Sequence, residues 1–135
     1  MIWFIIIGVT LYFLAKHATQ SKTLPRSGAY TFDIVGEASY QNALDQLAGG
    51  KTDAGVHVEK WATLIIEKDN PFDPNAVRVD IEGHTVGYLS RTHAARFRKT
   101  INRSNCVAPA LITGGWKRAG SQGNYGVKLN FKFKG

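Results

Sequence analysis

Apolar and polar residues alternate along much of the chain beyond residue 29, and this alternation predicts β-strands. In the final stretch, Tyr125–Phe133, every second residue is apolar, and Lys128 and Lys132 lie between them. A strand with this pattern buries one face and exposes the other, so the lysines are expected on the outer face. The predicted strands are Ala29–Val35, Val56–Glu67, Ala76–Ile81, Thr85–Leu89, Val107–Trp116 and Tyr125–Phe133.

Two short stretches have apolar residues three and four positions apart, which is typical of a helix with one buried face. The first is Tyr40–Leu47, with Ser39 as the predicted N-cap, and the second is Arg91–Ile101, with Ser90 as the cap. The chain has no strand–helix–strand rhythm and no internal repeat. The pattern therefore predicts a mainly β or α+β domain, a small, partly open β-barrel with one or two short helices.

An apolar segment, Ile2–Ala15, begins the chain and is interrupted only by Gly8 and Thr10. As a helix it would span about 21 Å, short of the roughly 30 Å hydrocarbon core of a bilayer. Three interpretations are open: a cleaved secretory signal, a packed or interfacial helix, and a membrane anchor. A secretory signal requires a positive charge before the apolar run, and this segment has none. A packed helix has one polar face, whereas residues 5–7 are apolar on every side.

We therefore expect residues 1–18 to form a hydrophobic helix that anchors the chain, in a single pass, in the inner or cytoplasmic membrane. The positive charges nearest the segment follow it in the chain: Lys16, Lys22 and Arg26. By the positive-inside rule, this order places the C-terminal domain in the cytoplasm. Residues 19–28 are polar and are predicted to be a linker, and residues 29–135 are the predicted globular domain.

The formal net charge of +7 hides an uneven distribution. All ten acidic residues lie between Asp33 and Glu82, whereas the chain from Arg91 to Gly135 has ten basic residues and no acidic residue. Such asymmetry favours a surface for a polyanion, either nucleic acid or anionic lipid. The alternative is that the two halves intermix in the fold and neutralise each other.

Catalytic signatures are missing from the sequence. It has no phosphate-binding glycine loop, no dinucleotide fingerprint, no nucleophile elbow and no metalloprotease motif, and its four histidines are scattered. The single cysteine, Cys106, excludes an internal disulfide framework and a multi-cysteine zinc site. We therefore expect no enzyme activity, no catalytic or metal-binding residue and no cofactor.

The most specific feature of the sequence is residues 70–79, N-P-F-D-P-N-A-V-R-V. Gly83, the run V-G-Y-L at residues 86–89, and Ala94 follow it. In this order the motifs resemble those of the HIRAN domain family. Matching flanks extend the resemblance over residues 30–133, essentially the whole predicted domain.

The resemblance implies a modified OB-like β-barrel that binds DNA, with a socket for the 3′-hydroxyl end of a single strand. Carried over by motif, Asn70 and Asp73 would be the polar pair of this socket and Phe72 its aromatic residue. Tyr88 and Arg91 would lie at its rim.

Three more residues complete the predicted site. Tyr40 is the aromatic residue left for the other side of the base, because Ala38 and Ser39 stand where the family motif has an arginine–tyrosine pair. Arg96 and Lys99, on the second predicted helix, are the candidates for contacts with backbone phosphates.

Physical chemistry supports this interpretation in part, since a base stacks on an aromatic face and a carboxylate accepts a bond from a terminal hydroxyl. The same residues also have structural explanations. In the structural alternative, Asn70 and Asp73 shape the turn and have no other role, Phe72 caps the barrel, and Tyr88 is a core residue of an edge strand.

The sequence thus predicts a non-catalytic nucleic-acid-binding module, for single-stranded DNA or DNA 3′ ends, tethered to a membrane through residues 1–18. The alternative is a membrane-associated protein-interaction or scaffold module whose basic strand faces anionic headgroups. The sequence names no protein partner for either.

Overall fold

The structure, a computed structural model, describes residues 21–133, and most of its strands belong to one curled sheet. The strands are β1 (Lys22–Thr23), β2 (Phe32–Asp33), β3 (Val58–Ile66), β4 (Val77–Ile81), β5 (His84–Tyr88), β6 (Cys106–Gly114), β7 (Lys117–Arg118), β8 (Ser121–Gln122) and β9 (Tyr125–Leu129). The order across the sheet is β2-β9-β6-β3-β4-β5, with antiparallel pairing throughout this path. Strand β1 pairs in parallel with β6, and β7 and β8 form a separate hairpin.

Val35 and Tyr88 join the two ends of this sheet. The backbone N–H of Val35 donates to the Tyr88 carbonyl at 2.8 Å, and the Tyr88 N–H donates back at 2.9 Å. Gly87 permits the approach, because a Cβ there would lie 2.6 Å from the Val35 carbonyl oxygen. The sheet therefore curls into a partly open barrel, which confirms the predicted mainly β fold.

The two helices are α1 (Gln41–Ala48) and α2 (Arg91–Thr100). The hydroxyl of Ser90 accepts the backbone N–H of His93 at 3.2 Å, so the predicted cap of α2 is confirmed. The side chain at this position satisfies one of the backbone donors that a helix start leaves without a partner.

The predicted cap of α1, Ser39, is wrong. A 3₁₀ turn over Glu37–Tyr40 leads directly into the helix, and Tyr40 occupies the cap position without a side-chain hydrogen bond to the first turn of the helix. A contact distant in sequence fixes the helix start instead. The Gln41 side chain accepts the backbone N–H of Tyr125 at 2.8 Å and donates to its carbonyl at 3.1 Å. Tertiary pairing with β9 thus replaces the local cap.

Both helices contribute side chains to the hydrophobic core. Leu44 of α1 and Phe97 of α2 are fully buried, and each such side chain stabilises the fold by about 1.5–3 kcal/mol. The last strand ends at Leu129, yet its alternation continues, because Phe131 and Phe133 still turn into the core. Phe131 stacks on Phe32 with the ring centroids 4.6 Å apart.

Residues 22–28, the larger part of the predicted linker, pack on the barrel. The backbone N–H of Lys22 donates to the Asn105 carbonyl at 3.3 Å, and Leu24 is buried in the core. Further along, the Ser27 N–H donates to the Asn130 side chain at 2.9 Å. The packed chain therefore extends upstream of residue 29.

The predicted anchor, residues 1–18, lies outside the described residues. In residues 21–133, no helix has the length and apolar character needed to cross a membrane.

Candidate nucleic-acid interface

Polar side chains fold the loop between β3 and β4 from within. The Asn70 side-chain oxygen accepts the backbone N–H groups of Phe72 at 2.9 Å and of Asp73 at 3.0 Å. The Asp73 carboxylate in turn accepts the backbone N–H of Asn75 at 2.9 Å. Asparagine and aspartate stabilise turns in this way. The loop holds Phe72 outward, so that 83% of this residue is exposed.

Two arginines of α2 hold the same loop from outside. The Arg91 guanidinium donates to the Phe72 carbonyl at 3.3 Å, and the Arg98 guanidinium donates to the Pro74 carbonyl at 2.9 Å. Because α2 is fixed in the core by Phe97, these bonds connect the loop to a rigid element. The position of Phe72 is therefore set by the fold as well as by the loop.

A cleft of about 890 Å³ opens between this loop, the start of α2 and the end of β5. Six of the eight residues selected from the sequence line it: Tyr40, Asn70, Phe72, Asp73, Tyr88 and Arg91. These residues come from three separate parts of the chain, and the closure between Val35 and Tyr88 brings them together. The structure thus assembles most of the predicted site around one opening.

Glu67, the residue directly after β3, lies at the centre of a polar network in the cleft. The Asn70 amide donates to one of its carboxylate oxygens at 3.1 Å, and the Arg78 guanidinium donates to the other at 3.0 Å. The Tyr88 hydroxyl also forms a hydrogen bond with this carboxylate. Arg78 is held in place in turn by Asp80, at 2.9 Å.

The network shifts the pKa values of Tyr88 and Glu67, two of the ionisable groups of the cleft, in opposite directions. Burial raises the pKa of the Tyr88 hydroxyl, and its hydrogen bond to Glu67 raises that pKa further. Burial alone would raise the pKa of Glu67 as well, but hydrogen bonds from Asn70, Tyr88 and Arg78 outweigh it and lower that pKa overall. At neutral pH the cleft therefore contains a neutral phenol beside a carboxylate.

Arg96 and Lys99 do not line the cleft. The Arg96 guanidinium lies over the Phe133 ring, 4.6 Å from its centroid, and Lys99 is exposed. From Arg91 to Lys99 the helix rises about 12 Å, so these cations extend away from the cleft along α2. Arg96 and Lys99 therefore lie outside the cleft.

An ion pair between β9 and β2 connects the two charged halves of the chain. Lys128 and Asp33 face each other across these strands with their charged atoms 2.7 Å apart. By contrast, the ion pairs of Arg78 and the pair of Lys60 with Glu82 stay within the acidic half. Asp33 therefore partly neutralises the charge of Lys128 in the predicted outer row of lysines. The sequence of α2, by contrast, contains basic residues and no acidic residue.

Within residues 21–133, no three or more side chains of histidine, cysteine, aspartate or glutamate are grouped to hold a metal ion. Cys106 is fully buried, and burial raises the pKa of its thiol despite the nearby Arg103 and Lys22. A protonated core thiol of this kind is a poor nucleophile.

Sequence reasoning missed Glu67, although one signal was available. The alternation of the long strand ends at this residue, immediately before the turn-forming stretch. An acidic residue where a strand meets a functional loop is a candidate for orienting that loop. Nothing in the sequence alone placed Arg78 or Tyr88 beside it, because their proximity depends on the pairing of β3, β4 and β5.

The HIRAN domain family matches residues 27–134, and the chain belongs to this family. Among solved structures, the HIRAN domain of human HLTF is similar over 73% of this chain and 71% of that chain, at 15% sequence identity and a TM-score of 0.37. No curated protein matches the chain. HIRAN domains are generally DNA-binding modules and not catalytic ones, so family membership points to nucleic-acid binding.

Proposed function

We propose that this chain is a non-catalytic DNA-binding module whose cleft receives the end of a single strand. The observation that carries the proposal is that one cleft contains six of the residues selected from the sequence, with Phe72 83% exposed at its mouth. An exposed aromatic ring of that kind offers a flat apolar face that a ligand can cover. A nucleobase is a suitable partner, because every base has a face that can stack.

Asp73 supplies the selection for an end. Its carboxylate accepts one hydrogen bond, from the Asn75 N–H at 2.9 Å, and a carboxylate can accept about four. It therefore retains capacity for a terminal sugar hydroxyl, whereas it repels a phosphate at the same position. This difference distinguishes a hydroxyl end from an internal linkage.

Asn70 has mainly a supporting role. Its oxygen is engaged by two backbone N–H groups and its amide nitrogen by Glu67. The amide nitrogen has a second N–H group, which can donate one hydrogen bond to the DNA strand. We therefore assign Asn70 chiefly to shaping the loop and Asp73 to the contact with the strand.

Direct binding measurements test the proposal. The full chain is titrated against a labelled single-stranded oligonucleotide and against a blunt duplex of the same sequence, at low and at moderate salt. We expect tighter binding to the single strand and an affinity that falls linearly in log salt. The absence of binding to any DNA at low salt would refute the proposed function.

The location of the module is a separate part of the proposal. We propose that residues 1–18 anchor the chain in the inner membrane with the HIRAN domain in the cytoplasm, supported by the apolar run and the positive charges that follow it. Fractionation of cells expressing the full chain tests this, compared with a variant carrying Ile6→Lys and Val9→Lys. Membrane retention of both proteins, or of neither, would contradict an anchor.

A further inference from the structure

Trp61 stands on the outer face of β3 with 51% of its surface exposed. Side chains alternate between the two faces of a strand, and the neighbouring residues Ala62 and Leu64 are fully buried in the core. Trp61, Thr63 and Ile65 therefore share the opposite face. A large ring left half exposed on a central strand has no role in the core and is available to a ligand.

The outer face of β3 leads directly to the cleft. Ile65 pairs with Arg78 of β4, and Arg78 pairs with Tyr88 of β5, so all three lie on the same face. Arg78 also donates to Glu67, at the end of β3. Trp61 and Glu67 are six residues apart on an extended chain, which corresponds to about 20 Å.

A guanidinium and a proline surround the Trp61 ring. The Arg26 guanidinium lies 5.2 Å from the ring centroid, and Pro109 is the residue paired with Trp61 on β6. With Tyr30 they line a small open cleft of about 200 Å³. Glu59 also lines this small cleft and accepts a hydrogen bond from the Tyr30 hydroxyl at 3.3 Å.

We propose that Trp61, with Arg26, is a second base-stacking platform for a single strand whose end occupies the cleft. The inference rests on the proposed function and extends it from one terminal residue to a track along β3. Aromatic rings such as indole and the planes of guanidinium groups are side-chain surfaces on which bases stack. Since a stacked strand rises about 3.4 Å per nucleotide, about six nucleotides or fewer cover the 20 Å.

Oligonucleotide length tests the platform. The affinity of the full chain is measured by fluorescence anisotropy for strands of about three and about eight nucleotides, the longer of which falls within the site sizes of OB folds. Trp61→Ala is expected to leave the short strand unaffected and to weaken binding of the long strand by about 5-fold to 150-fold. Trp61→Phe, which keeps a stacking ring, is the matched control and should lose much less.

A second arm uses the long strand with abasic sites in place of the bases beyond the terminal three. These sites should weaken binding to the unaltered chain and have no effect on the Trp61→Ala variant. Two results would contradict the platform and leave the proposed function intact. In the first, Trp61→Ala weakens the binding of short and long strands equally. In the second, Trp61→Ala binds the long strand as tightly as the unaltered chain does. Failure of both lengths to bind the unaltered chain would instead refute the proposed function itself.

Discussion

The Asn70 side-chain oxygen accepts the backbone N–H of Asp73 at 3.0 Å, and this bond connects the two polar residues of the site. It orders the loop so that the Asp73 carboxylate and the Phe72 ring belong to the same cleft. One residue therefore builds the loop on which the other acts, and mutations at these two positions should have different consequences.

Phe72 should contribute to DNA binding and not to the stability of the fold. Because 83% of the residue is exposed, Phe72→Ala removes little buried surface, and the melting temperature should stay nearly unchanged. Loss of one stacked base should cost about 1–3 kcal/mol, or about 5-fold to 150-fold in affinity. Anisotropy and thermal unfolding measure the two effects, and Phe72→Tyr should bind like the unaltered chain. A large drop in melting temperature without a loss of affinity would contradict a stacking role.

Asn70 should contribute to both stability and binding. Asn70→Ala leaves the backbone N–H groups of Phe72 and Asp73 without their acceptor, at a cost of about 1 kcal/mol for each lost bond. Denaturant unfolding measures this loss of stability, and affinity should fall because the loop is less ordered. Asn75→Ala is the control, since Asn75 contributes its backbone N–H to the loop. Equal stability of the two variants would contradict the role assigned to Asn70.

Glu67 should make stability depend on pH in the acidic range. The pKa of its carboxyl is lowered in the folded chain, so its stabilising contribution is present above the unfolded pKa of about 4.3 and is lost as pH falls through the folded value. Glu67→Gln should therefore unfold at a lower temperature than the unaltered chain at pH 7. The difference should shrink in acid, below about pH 4. A difference that is constant across this range would show that the carboxylate charge has no part in the effect.

Arg96 and Lys99 should affect the salt dependence of binding. If each contacts one phosphate, replacing it by glutamine should reduce the slope of log affinity against log salt by about one. Lys99→Gln is the cleaner test, because Arg96 also covers the Phe133 ring and its loss affects packing. An unchanged slope in Lys99→Gln would place the strand elsewhere on the domain.

The strand pattern was largely predictable because alternation records burial directly. Val77–Ile81 and the inward residues of β9 were recognised in this way. The strand predicted at Ala29–Val35 is shorter in the structure and covers Phe32–Asp33, which pair with β9. Val35 does not continue this pairing, because it forms an isolated bridge with Tyr88 of β5 instead. Local pattern cannot reveal which edges meet, so the closure at Tyr88 was beyond sequence reasoning.

The site divided in the same way. Loop residues such as Asn70 and Asp73 carry a local motif and could be selected from it. Glu67 and Trp61 carry no motif, and their significance comes from strand register and from exposure. The wrong cap at Ser39 has the same cause, since a distant strand fixes the start of α1.

The central claim is that the cleft recognises a strand end through Asp73, and a comparison of two ends tests it most directly. The affinity of the full chain is measured for one single-stranded oligonucleotide bearing either a 3′-hydroxyl or a 3′-phosphate, in parallel with Asp73→Asn. We expect at least about tenfold preference for the hydroxyl end, equivalent to about 1.4 kcal/mol, and near-equal affinities in the variant. Asparagine keeps an acceptor for the Asn75 N–H, so the loop should stay intact. Equal affinity of the unaltered chain for both ends would contradict the account.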